Sequence, residues 1–60
     1  MDEVAIVRRA NEVLGLEHVA QWMTSQIPSL GNVTPYQLIK TRTGRKQVEQ
    51  VLLKIEHGVY

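Results

Sequence analysis

Apolar positions fall in four groups, and within each group the spacing follows the 3.6-residue helical period rather than strand alternation. The first group places Ile6, Val7, Ala10, Val13 and Leu14 on one broad face, with Asp2 in position to cap the helix and Gly15 to end it. Leu16 is then expected to fold back over Ala10. A second, shorter helix from Glu17 to Ser25 carries Val19, Ala20, Trp22 and Met23, with Glu17 at the positive end of its dipole. Pro28 blocks its extension.

The stretch from Ser25 to Val33 reads as an ordered loop. Gly31 and Asn32 both tolerate a positive φ, and Ile27, Leu30 and Val33 are too apolar to be left in water, so all three are expected to plug the core. Thr34-Pro35-Tyr36-Gln37 is the clearest start signal in the chain: an N-cap threonine, proline at the first helical position and glutamine to close a capping box. That helix turns Leu38 and Ile39 inward. Thr43 is expected to cap the last helix, where Val48, Val51, Leu52 and Ile55 recur at i, i+3, i+4 and i+7. Arg45 and Glu49 form an i,i+4 pair on its outer face. Gly58 closes it, with Val59 covering Leu53. The predicted fold is all-α, a compact bundle of about four short helices over residues 2–14, 17–25, 35–41 and 44–57, in a single domain spanning 1–60.

Composition narrows what this bundle can be. Sixty residues that are 43% hydrophobic make one small domain, neither a disordered tail nor a membrane protein. Stability on the order of 3–5 kcal/mol is expected at this size, with little room for a catalytic cleft. Cysteine is absent, which excludes disulfides, thiolate metal sites and thiol nucleophiles. The longest wholly apolar run, Val4 to Val7, falls far short of the roughly 20 residues of a spanning helix, and the acidic start is unlike a signal peptide. A cytoplasmic location is expected. Residues 1–30 hold four acids and two bases, whereas 31–60 hold two acids and five bases. The basic excess is concentrated at Lys40, Arg42, Arg45 and Lys46, which could contact phosphates or simply form a solvated corner.

Other candidate chemistry is sparse. Glu17-His18 and Glu56-His57 supply two imidazoles and two carboxylates, but neighbouring helical residues point about 100° apart and no H-x-x-x-H spacing exists, so no metal site is expected. Ser25, Ser29 and the threonines fall at turns or caps, where their hydroxyls have structural partners, and no nucleophile has an evident base. Trp22 reads as core rather than as a ligand platform. No catalytic residue and no cofactor are expected, and the chain reads as a binding module rather than an enzyme.

The order Trp22-Met23, Pro28, Leu30-Gly31, Thr34-Pro35, Leu38, Gly44, Val48, Leu52-Leu53 and Ile55-Glu56-His57-Gly58-Val59-Tyr60 resembles the toxin-binding domain of Xre/MbcA/ParS-like antitoxins. The likeness covers nearly all the chain from Ala10 onward. It departs from the family pattern at Asn32, where a second small residue is usual, and at Met23, where leucine is usual; both changes are physically mild. The resemblance implies a protein that neutralises a cognate toxin, typically of the NAD-degrading RES type, by docking on it and projecting a C-terminal strip into its active-site mouth. Carried over position by position, that strip is Glu56, His57, Gly58, Val59 and Tyr60. The NAD chemistry would belong to the toxin. On the residues alone, Gly58 and Val59 could equally be a plain helix end with Tyr60 lying back on the domain.

Many members of that family also carry an N-terminal helix-turn-helix, for which sixty residues leave no room, so DNA-bound autorepression is not expected of this chain by itself. Self-association stays open. The alternative function is a small helical nucleic-acid-binding domain using the basic segment 40–46.

Overall fold

The computed structural model describes residues 2–58. Four α-helices follow one another, α1 over Glu3–Leu14, α2 over Val19–Met23, α3 over Pro35–Leu38 and α4 over Arg42–Glu56, with one 3-10 turn at Pro28–Leu30. The all-α expectation holds: the only sheet-like feature among the described residues is an isolated bridge between Ile27 and Val33.

Helix α1 forms where its signals lie. The Asp2 carboxylate accepts the Ala5 N–H at 2.8 Å, Glu3 sits in the first turn, and Gly15 at φ 85° takes the chain out while donating to the Asn11 carbonyl. Ile6 and Ala10 are buried on its inner face, and Val7, Val13 and Leu14 pack around them. Leu16 does not fold back over Ala10. It is 80% exposed, because the chain turns sharply at Gly15 and the His18 and Val19 amides both bond to the Gly15 carbonyl.

Helix α2 is shorter than the expected 17–25. Glu17 and His18 lie in the turn ahead of it, with no side-chain cap on the helix. At its other end the Thr24 hydroxyl donates to the Ala20 carbonyl at 2.9 Å and the Ser25 hydroxyl to the Gln21 carbonyl at 2.6 Å. Those side chains satisfy the last carbonyls and stop the helix.

The loop that follows is ordered by its own backbone. Ile27 accepts from Asn32 at 3.0 Å and donates to Val33 at 3.2 Å, and the reversal runs through Gly31 at φ 78° and Asn32 at φ 61°. Both left-handed positions therefore hold the residue types that adopt that backbone most readily. Ile27 is buried and Leu30 packs on the core, while Val33 is half-buried.

The capping box before α3 is complete: Thr34 Oγ accepts the Gln37 amide at 3.2 Å, and Gln37 Oε1 accepts the Thr34 amide at 3.2 Å. The helix ends at Leu38 rather than at 41, and the cap of α4 is Thr41, not Thr43. Thr41 Oγ accepts the Gly44 N–H at 2.9 Å, so α4 begins two residues before the expected start at 44. Packing decides this. A Cβ at position 44 would lie 1.9 Å from the Leu38 carbonyl oxygen, so α3 and α4 meet backbone to backbone at Gly44, inside the first turn of α4.

Helices α1 and α3 both rest on α4, whose Val48, Val51 and Leu52 are buried. Ile6, Ala10, Met23, Ile39, Val48 and Leu52 form one core drawn from α1, α2, the end of α3 and α4. Burial of each large aliphatic side chain is worth about 1.5–3 kcal/mol relative to exposure. This core holds the two ends of the described chain in a fixed relation.

Candidate functional site

The C-terminal end of α4 carries the residues of the proposed strip. Glu56 is the last helical residue, and His57 is its C-cap, donating from its backbone to the Leu53 carbonyl at 3.0 Å. Gly58 follows at φ 71° and donates to the Ile55 carbonyl at 3.1 Å. This left-handed residue closes the helix, as a glycine at that position does at least steric cost. Glu56, His57 and Gly58 are all exposed. Val59 and Tyr60, and with them the contact of Val59 with Leu53, lie outside the described residues.

Glu56 is not left to solvent alone. The Arg9 guanidinium on α1 bonds to its carboxylate with one nitrogen and to Glu12 with the other, the latter at 3.3 Å. This long-range pairing, invisible to any local pattern, ties the last residue of α4 to α1.

The basic segment is divided between two faces. Arg42, Arg45 and Lys46, spaced i, i+3 and i+4, line one shallow concavity of about 310 Å³ together with Glu49. Arg45 also donates to the Ile39 carbonyl at 2.9 Å, so it closes the C-terminal end of α3 as well as lining that face. Lys40 lines a different concavity. Its ammonium sits 4.6 Å from the centre of the Tyr36 ring and 3.9 Å from the Glu3 carboxylate.

That second concavity is apolar at its base, with Val4, Val7, Tyr36 and Ile39, and has Glu3 and Lys40 at its rim. Val4 is 66% and Tyr36 54% exposed, so two of the most exposed large apolar side chains share one notch. Sequence reasoning missed it. The i,i+4 spacing of Tyr36 and Lys40 was the available signal, but Val4 and Val7 come from the far end of the chain.

Among the described residues, no three His, Asp or Glu side chains converge in a way that could hold a metal ion, and no helix is long and apolar enough to cross a membrane.

The fold and this exposed helix end describe a small all-helical domain among the described residues. Compared with known proteins, residues 9–58 match the family model of the antitoxin Xre/MbcA/ParS C-terminal toxin-binding domain. The chain is also similar to an antitoxin Xre of Photorhabdus laumondii subsp. laumondii (strain TT01), at 40% identity over 43 residues. That alignment covers 72% of this chain and 29% of the relative, so the chain spans less than a third of that protein's length. No solved structure matches. The chain belongs to the Xre/MbcA/ParS antitoxin C-terminal toxin-binding domain family.

Proposed function

We propose that this domain neutralises a cognate toxin of the NAD-degrading RES type by docking on it and inserting residues 56–60 toward its active site. The observation that carries the reading is the end of α4: three consecutive exposed residues, Glu56, His57 and Gly58, with a left-handed glycine that releases the chain from the helix within a toxin-binding domain. The Val59-Tyr60 pair that follows in the sequence suits such a task, since tyrosine combines a rigid apolar ring with a polar tip and is enriched among interface anchors. The apolar notch around Val4 and Tyr36 supplies a separate surface for docking. A toxin that consumes NAD works in the cytoplasm, and its inhibitor acts there with it.

The test is co-purification of the full chain with its toxin, followed by deletion of Val59 and Tyr60. Loss of NAD should be blocked by the full chain and released by the truncated one. If the truncated chain still blocks NAD loss at equal concentration, the strip does not plug the site.

A second reading rests on Arg42, Arg45 and Lys46, three cations that share one concave face at the start of α4. As a phosphate-contacting surface it would show DNA binding that weakens with salt at a slope of about −0.9 per phosphate contact. Absence of binding to a DNA duplex at low salt removes this reading.

A further inference from the structure

We infer that Arg9 is a positioning residue for the inhibitory strip, and that Glu56 serves as the fixed root of the strip rather than as one of its toxin-contacting residues. This rests on the proposed insertion of residues 56–60.

The argument begins with what holds the last turn of α4. No residue of α4 beyond Leu52 is buried, so apolar anchoring fades one turn before the helix ends. Last turns without such anchors fray. Here the end is held instead by a side chain 47 residues away in sequence: Arg9 on α1 bonds to the Glu56 carboxylate. The Arg9 and Glu56 side chains are 31% and 36% exposed, so the pair is partly screened from water by the α1 and α4 surfaces.

The planar guanidinium is itself oriented by its second bond, to Glu12 three residues along the same helix. A guanidinium held by two carboxylates on different nitrogens has little freedom left, and its bonds are charge-assisted. Arg9 therefore fixes where Glu56 sits. His57 and Gly58 follow at once, with Gly58 in the left-handed conformation at φ 71°. A strip that must enter a partner's cleft loses less conformational entropy if its exit direction is already set. Because the carboxylate of Glu56 is engaged within the domain, contact with the toxin falls to the residues after it.

The test is a double-mutant cycle in the full chain, Arg9→Ala, Glu56→Ala and both together, with Glu17→Ala, an exposed carboxylate in the turn before α2, as the control. Two readouts apply. In the domain alone, the 15N heteronuclear NOE at His57 and Gly58 should fall in Arg9→Ala and Glu56→Ala and stay close to wild type in Glu17→Ala. Against the toxin recovered by co-purification, potency in blocking NAD loss should drop about three- to fivefold for each single substitution and no further for the pair.

Unchanged NOE values in Arg9→Ala overturn the inference, as does a Glu56→Ala effect on potency that is independent of residue 9. If instead the chain lacking Val59 and Tyr60 inhibits as well as the full chain, the insertion reading itself has failed, whatever Arg9 does to the NOE.

Discussion

Gly44 shows how much one residue can decide in a chain of this size. A methyl group there would meet the Leu38 carbonyl at 1.9 Å, against backbone that has nowhere to move without separating α3 from α4. Gly44→Ala, a helix-favouring change in isolation, should therefore destabilise the domain by about 1–3 kcal/mol, a large part of the total for a chain this short. A urea titration followed by circular dichroism checks this. Leu16→Gln should do almost nothing, within about 0.5 kcal/mol, because the side chain is exposed and touches no core element. Read from sequence alone, Leu16 looks like a core contact, whereas Gly44 looks only like the first residue of the last helix. Their true roles come from tertiary approach, which no local pattern carries.

At the scale of elements, legibility depended on how local each signal was. The Asp2 cap and the Thr34-Gln37 box involve partners within three residues, and both form as read. The cap of α4 was misread because Thr41 and Thr43 are equivalent on local grounds, and the meeting of Gly44 with α3 selects Thr41. Thr41→Ala should cost about 1 kcal/mol, and Thr43→Ala close to nothing, a difference that paired thermal melts resolve. The basic segment was legible as charge but not as geometry. Lys40 turns toward Tyr36 and Glu3 while Arg42, Arg45 and Lys46 face a separate concavity, so residues close in sequence serve two surfaces.

For the molecule as a whole, the four-helix architecture and the family were both within reach of the sequence, because helical periodicity and the Leu-Gly, Thr-Pro and Ile-Glu-His-Gly segments survive without any knowledge of contacts. What was out of reach was the link between the two ends of the chain. Arg9 and Glu56 are joined only when α1 packs on α4. Leu52→Ala, in the centre of that packing, should cost about 2–5 kcal/mol and speed by the matching factor the exchange of core amides that open only on global unfolding. Hydrogen-exchange measurements read both effects in one experiment.

The central claim is that the end of α4 delivers a strip into a toxin's substrate site. It is tested most directly by measuring inhibition of the co-purified toxin's NAD loss by the full chain across a series of NAD concentrations. A strip occupying the site must compete with NAD, so the account predicts an apparent inhibition constant that rises in proportion to NAD above the toxin's KM. An inhibition constant that stays the same at every NAD concentration would contradict it.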